Sequence, residues 1–136
     1  MLLSKHFAHL LITTFTVAAS TLKVHAQPEV PREVVINTVY KGIQFIHGSV
    51  PVPDLYFNGN SLESSCGLLT SSRYCPPEHV IFIPNRDIKW AYQYGDAALA
   101  YIVAHEYAHA MQKVYNIPMV RLTSEKQADC LAGLYL

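Results

Sequence analysis

The residues whose types and spacing point most clearly to chemistry are His105, Glu106 and His109, in the order His-Glu-x-x-His. Residues four positions apart on an α-helix lie one turn apart on the same face, so both imidazoles can bind one zinc ion. The glutamate between them projects beside the metal, where it can act as the general base that takes a proton from water. The spacing therefore predicts a hydrolytic zinc site with Glu106 as the catalytic residue.

Two acidic residues downstream are candidates to complete this site. A catalytic zinc ion usually has three protein ligands, and we expect Glu125 to be the third. Asp129 follows one helical turn later and is predicted to be a buried residue that accepts a hydrogen bond from the far nitrogen of a ligand histidine. The simpler alternatives are a carboxylate favoured by a helix N-terminus for Glu125, and a plain surface residue for Asp129.

The motif itself has an alternative interpretation, which is two surface histidines on an ordinary helix. The residues around it, Ile102–Ala104, Ala108 and Ala110, are small or apolar and indicate a buried helix. A buried glutamate between two histidines is costly unless something compensates its charge, and a divalent cation would do so. The other histidines, His47 near a predicted helix end and His79 at the start of a predicted strand, are interpreted as non-catalytic.

The helix that carries the motif is predicted from the residues around it. It is expected to run over Ala97–Tyr115, capped at its start by Asp96. A second helix is predicted to begin at Thr123 or Ser124, either of which can cap it, and to run to the C-terminus. Glu125 would then lie near the start of this second helix.

The first half of the chain is predicted to contribute one helix and two strands. The helix is expected at Pro31–His47 and is ended by Gly48. Its predicted buried face consists of Val35, Val39, Ile43 and Ile46. Val50–Phe57 is interrupted by prolines and can be an edge strand at most, whereas His79–Ile83 is strongly β-prone. This order of elements indicates an α+β domain with a small antiparallel or mixed sheet.

The three cysteines have two separate interpretations. Cys66 and Cys75 flank a polar loop, and a disulfide between them is predicted because an exported chain can keep one. Cys130 lies on the second predicted helix, where we expect a buried apolar thiol in preference to a metal ligand or a redox group.

The N-terminus has the pattern of a secretory signal peptide at residues 1–26, which leaves 27–136 as one exported domain. A short positive start precedes the apolar stretch Phe7–Ser20 and the cleavage pattern Val24-His25-Ala26. An uncleaved membrane anchor is the alternative, but the stretch is short for a spanning helix, which needs about 20 residues. The expected location is periplasmic or secreted, with no membrane span after cleavage.

Composition narrows the classes of function. The 136-residue chain has a formal net charge of zero, so it shows no excess of basic residues, and nucleic-acid binding is not expected. Hydrophobic residues make up 51% of the chain, which is enough to bury a core. The expected partner is a peptide or protein substrate.

Two segments around the candidate ligands, Ile102–Gln112 and Glu125–Gly133, resemble the bacterial neutral zinc metallopeptidases, a family with the zincin-like fold. The sequence around the first two cysteines, at Ser65–Gly67 and Tyr74–Pro76, is also similar to that family. The resemblance implies that Glu125 is the third zinc ligand, which is the gluzincin arrangement.

The resemblance also implies a cleft bordered by an edge strand, here Val80–Ile83, to which a substrate peptide would add by backbone hydrogen bonds. Two features depart from the family pattern. The connection from His109 to Glu125 is shorter than usual, and the family's downstream region is missing, so a truncated form is one interpretation of the chain. No motif assigns the oxyanion-stabilising residue, for which Tyr115 and Tyr135 are the nearest candidates by chain position.

Together these patterns predict an exported zinc metallopeptidase that binds one zinc ion per chain. The alternatives are a zinc-binding pseudo-peptidase or scaffold protein without turnover, and a zinc hydrolase that acts on a non-peptide amide or ester. A structural domain with coincidental histidines is the remaining alternative.

Overall fold

The computed structural model describes residues 30–136, and the predicted signal peptide at 1–26 lies outside them. The elements follow in the order α1 (Arg32–His47), β1 (Asp54–Phe57), β2 (Leu62–Ser64), β3 (Gly67–Leu69), β4 (Arg73–Cys75), β5 (Val80–Ile83), α2 (Asn85–Tyr92), α3 (Asp96–Val114) and α4 (Arg121–Tyr135). Helices are combined with two small sheets, which confirms the predicted α+β class. Within residues 30–136, no helix has the length and apolar character needed to cross a membrane.

The larger sheet has three strands in the order β1-β5-β4, with β1 parallel and β4 antiparallel to β5. All of β5 is buried, as expected for a central strand with an uninterrupted apolar run. The predicted position of Val80–Ile83 at the edge of the sheet is therefore wrong. The sheet edge that contacts the motif-bearing helix α3 belongs to β4.

Strand β5 separates two apolar clusters, because successive residues of a strand point to opposite faces. Ile81 and Ile83 pack into the main core with residues of α1 and α3. The other two residues of β5 pack on the opposite face, against the antiparallel hairpin of β2 and β3. The predicted disulfide between Cys66 and Cys75 is confirmed, and it joins the turn of this hairpin to β4.

Helix α1 ends where the sequence predicted. Gly48 follows its last residue with a φ of 63°, a conformation that glycine adopts at little cost, and so terminates the helix. The buried face differs from the prediction, because Ile36 is buried and Ile46 is exposed. Phe45 is exposed as well, so the last turn of α1 extends beyond the core.

Helices α3 and α4 begin at other residues than those predicted. Helix α3 starts at Asp96 itself, and its N-cap is Gly95, which has a φ of 102°. The carboxylate of Asp96 accepts a hydrogen bond from the backbone N–H of Val30. Helix α4 starts at Arg121, so Ser124 lies in its first turn, where the buried hydroxyl donates to the Arg121 carbonyl.

The sequence did not predict α2, the hairpin strands β2 and β3, or β4, which lies at the end of the predicted polar loop. Each hairpin strand has only three residues, which is too short to show an alternating pattern. Helix α2 follows β5 after the single residue Pro84, which is its N-cap. A proline both ends a strand and suits the start of a helix, and only the first of these consequences was predicted.

Helix α3 is the centre of the fold and positions the motif. It packs against α1, α2 and α4 and contacts both β4 and β5. Most of its residues between Leu99 and Gln112 are buried. Because the helix is held by packing on several sides, its side chains are presented from a rigid element.

Candidate metal centre

Three side-chain atoms from α3 and α4 that can donate an electron pair to a metal converge at one place, and we call them the donor triangle. The Nε2 atoms of His105 and His109 are 3.2 Å apart. Oε2 of Glu125 lies 3.3 Å from the first nitrogen and 3.5 Å from the second. A tetrahedral zinc ion with ligands at about 2.0–2.1 Å separates its ligand atoms by about 3.3–3.4 Å. The triangle therefore has the dimensions of one face of a zinc tetrahedron.

A hydrogen-bond chain behind His109 determines which of its ring nitrogens is free. The side-chain amide N–H of Gln112 donates to the backbone carbonyl of Ser124 at 2.8 Å. Its oxygen, Oε1, therefore faces Nδ1 of His109, also at 2.8 Å. Since Oε1 can only accept, Nδ1 carries the proton and Nε2 remains an acceptor.

Gln112 is fully buried and was not predicted as a functional residue. The available signal was its position three residues after His109, because residues at this spacing are neighbours on a helix. A buried amide needs partners for its donor and its acceptor, and here those partners are α4 and a candidate ligand. Gln112 thus links the orientation of the imidazole to the start of the second ligand-bearing helix.

Asp129 occupies the corresponding position behind His105. Its Oδ1 lies 3.0 Å from Nδ1 of His105, although the ring is not aligned for a hydrogen bond. The same oxygen accepts a 2.6 Å hydrogen bond from the Tyr101 hydroxyl, which lowers the pKa of Asp129. The proximity to a candidate ligand agrees with the prediction, but the side chain is 55% exposed and the predicted burial is wrong. The sequence gave no indication of Tyr101.

With these neighbours, none of the three atoms of the donor triangle carries a hydrogen. The Asp129 carboxylate favours a proton on Nδ1 of His105, just as Gln112 does on His109. Both Nε2 atoms and the Glu125 carboxylate are then acceptors, and facing acceptors repel unless a proton or a cation lies between them. Two imidazoles and one carboxylate suit zinc and similar metals, whereas calcium and magnesium prefer oxygen ligands. The donor set therefore fits a zinc ion.

The donor triangle opens onto a cleft of about 500 Å³. The side chains of His105 and His109 are 18% and 10% exposed, whereas that of Glu125 is 56% exposed. Residues 71–74 at the β4 edge and Arg121 at the start of α4 also line the cleft. A cation at this position would be reachable from solvent, as a catalytic metal requires and a closed structural site does not allow.

Glu106 lines the same cleft and is only 8% exposed. Its Oε2 accepts a 2.8 Å hydrogen bond from the backbone N–H of Tyr74 in β4. Burial raises the pKa of Glu106 to about 7; the Tyr74 hydrogen bond opposes this shift, and the nearby Glu125 charge adds to it. Within residues 30–136, Oε1 of Glu106 makes no hydrogen bond, so this oxygen is free to exchange a proton.

The remaining candidate residues lie outside the cleft. The hydroxyls of Tyr115 and Tyr135 lie 3.1 and 2.7 Å from the two ring nitrogens of His47. Neither tyrosine lines the cleft, so the structure does not bring these oxyanion candidates to the donor triangle. His79 contacts a tyrosine hydroxyl and a backbone carbonyl. Cys130 is exposed, in contrast to its predicted burial.

Comparisons with known protein families, with curated proteins and with solved structures found no match to this chain. A function is therefore inferred from the donor triangle, the buried glutamate beside it and the cleft that both share.

Proposed function

We propose that this chain is an exported zinc metallopeptidase with a zincin-like fold, related to the bacterial neutral zinc metallopeptidases. In this proposal His105, His109 and Glu125 bind one zinc ion and Glu106 is the general base. The observation that carries it is the triangle of three acceptor atoms separated by 3.2, 3.3 and 3.5 Å, beside a buried carboxylate in the same cleft. The disulfide is consistent with export.

Zinc in this position would polarise the carbonyl of a scissile peptide bond and lower the pKa of the attacking water. The residues of the chain do the rest. Glu106 accepts a proton from the attacking water and passes it to the leaving nitrogen. The Tyr74 N–H holds one carboxylate oxygen in place, which leaves Oε1 for this transfer.

The acid–base properties of Glu106 suit this role. In the metal-free chain, burial holds the pKa of Glu106 near 7, so its proton is easily gained or lost at neutral pH. A neighbouring divalent cation would favour the charged form and lower this pKa, which keeps the carboxylate ready to accept a proton. Because water is excluded from this buried side chain, the electrostatic effect of a cation on the pKa of Glu106 would be strong.

The β4 edge is the proposed place for the backbone of a substrate peptide, in the position that the resemblance assigned to β5. Two outward N–H groups on this edge are already occupied, because Ser72 donates to Asp87 and Tyr74 donates to Glu106. The backbone carbonyls remain as acceptors. We therefore infer that a peptide pairs with this edge mainly by donating its own N–H groups.

The test combines metal analysis with turnover of a mixed peptide library by the mature chain. We expect one zinc per chain, and a Glu106→Gln variant that keeps the zinc and loses turnover by about 10²–10⁴-fold. Equal activity in that variant would refute the role of Glu106. Absence of metal from a chain purified with zinc present would refute the site.

Two outcomes would support the alternatives. Zinc without turnover of any peptide would identify a pseudo-peptidase or a scaffold protein. Turnover restricted to small amides or esters, measured in parallel with the peptide library, would identify a hydrolase of another substrate class.

A further inference from the structure

A second cavity, of about 310 Å³, lies next to the candidate metal centre and shares His105 and Glu106 with the cleft. We refer to it as the tryptophan pocket. Its apolar walls are Trp90 of α2 and Tyr101 and Ile102 of α3. A cavity of this volume that adjoins the reacting centre is suited to a substrate side chain.

The aromatic residues of this pocket expose a large surface. Trp90 is 59% exposed and Tyr101 is 39% exposed, so neither residue serves only to fill the core. Aromatic rings bind both apolar groups and cations, and tryptophan gives the strongest cation–π interaction. The walls therefore fit an aliphatic stem that ends in a positive charge.

The charged groups of the pocket are acidic. Three carboxylates line it, those of Asp87, Glu106 and Asp129, whereas its lining contains no lysine or arginine. The cleft differs in this respect, because Arg73 and Arg121 line it together with its carboxylates. The two sides of the centre therefore have different electrostatic character.

Asp129 is the carboxylate best placed to bind a cation. Asp87 is already paired with Arg86 at 2.9 Å and with Ser72. On Asp129, Oδ1 is bound by Tyr101, whereas Oδ2 makes no hydrogen bond within residues 30–136. The side chain is also 55% exposed and so reachable by a ligand.

We propose that the tryptophan pocket binds an arginine or lysine side chain next to the scissile bond of the substrate, which makes the enzyme selective for basic residues. The aliphatic stem packs against the aromatic and aliphatic walls, and the positive group pairs with Asp129. This inference rests on the proposed peptidase function, and its test separates the two.

The kinetic test uses matched peptides with and without the positive group, with arginine against citrulline and lysine against norleucine at each position flanking the cleaved bond. We expect kcat/KM to be about tenfold higher for the charged member at one of these positions. The preference should weaken at high salt, because part of it is electrostatic. Cleavage of both members at equal rates would overturn the pocket assignment and leave the peptidase function intact.

The binding test does not depend on turnover. Trp90 is the only tryptophan of the chain, so its fluorescence reports directly on the pocket. We expect saturable binding of a short arginine peptide, and about tenfold weaker binding of its citrulline counterpart. If no peptide is hydrolysed, this result still supports the cation pocket while the proposed function fails. No fluorescence change with either peptide would overturn the pocket.

Variants locate the effect. Trp90→Ala should lower kcat/KM for the arginine peptide to about the value that the wild type has for the citrulline peptide. The affinity for the arginine peptide, measured by calorimetry, should fall in the same way. Trp90→Phe should restore part of the loss. Phe45→Ala is the matched control, because Phe45 is an exposed aromatic residue on α1, outside both cavities. An arginine peptide that Trp90→Ala binds and cleaves as well as the wild type does would overturn the assignment.

Discussion

Two polar side-chain clusters of this molecule that contain histidine differ in what surrounds the imidazole rings. At the candidate metal centre, His105 and His109 face each other and the Glu125 carboxylate. At the other cluster, His47 of α1 lies between the hydroxyls of Tyr115 and Tyr135. Both contain part-buried imidazoles, yet only the first has the donor set of a metal centre.

The difference lies in the hydrogen-bond partners of the ring nitrogens. A hydroxyl can donate or accept, so both nitrogens of a neutral His47 are satisfied by the two tyrosines. Gln112 accepts a hydrogen bond from Nδ1 of His109, and the Asp129 carboxylate lies beside Nδ1 of His105, which leaves two Nε2 acceptors against a carboxylate. Imidazoles therefore form a candidate cation site when their neighbours leave ring nitrogens and a carboxylate facing one another without a hydrogen between them.

The largest expected effect tests this comparison directly. His105→Ala or His109→Ala removes one of the three proposed ligands and should abolish stoichiometric zinc binding, because the remaining two donors would hold the metal poorly. His47→Ala should leave the zinc content unchanged. Elemental analysis of the three purified variants measures this difference. Loss of zinc in His47→Ala as well would show that the two clusters are not distinct.

An intermediate effect is expected at Gln112. Gln112→Leu removes the acceptor that orients His109 and should weaken zinc binding by about 10–100-fold. It also leaves the Nδ1–H of the buried His109 without its acceptor, which should cost about 1–3 kcal/mol of stability. Competition with a chromophoric chelator and urea unfolding measure the two quantities.

The control for this variant is Gln127→Leu. It removes only a long 3.4 Å contact to Gln112 at an exposed position and should change zinc affinity less than twofold, since the bond is weak. Equal zinc affinity in Gln112→Leu and wild type would show that His109 does not need this support.

The smallest effect concerns the pH dependence of the other cluster. Burial lowers the pKa of His47 below its ordinary value of 6.5. The unfolded chain therefore binds this proton more readily, so the stability due to neutral His47 is complete above pH 6.5 and is lost as the pH falls through the lower folded pKa. In metal-free protein, the free energy of unfolding should fall more steeply with decreasing pH in wild type than in His47→Gln. Parallel curves from urea titrations between about pH 7 and 5 would contradict this.

Much of the fold was predictable where local pattern and burial agree. The end of α1 at Gly48, the apolar run of β5 and the motif-bearing helix were all predicted within a few residues. Short elements were missed, because β2, β3 and β4 have three residues each and are too brief to show a period. The edge position predicted for β5 was wrong because strand order depends on which strands pair, and a strand's own residues do not specify its neighbours.

The candidate site shows the same division. The proximity of Glu125 to the histidines was predicted, whereas Gln112 and Tyr101 were not, although both bind residues of the predicted set. Their roles depend on how α3 docks against α4. The burial of Cys130 was mispredicted for the same reason, since α4 has only a narrow buried face and the thiol lies outside it.

The sequence by itself determined the relation of His105 to His109, because the backbone hydrogen bonds of a helix place residues four apart on one face regardless of the rest of the fold. Only the tertiary structure decided that Glu125 completes the triangle, that the Tyr74 N–H holds Glu106, and that an acidic aromatic pocket lies beside them. These are contacts between different elements. Their geometry follows from the packing of the whole core, which no local stretch of residues specifies.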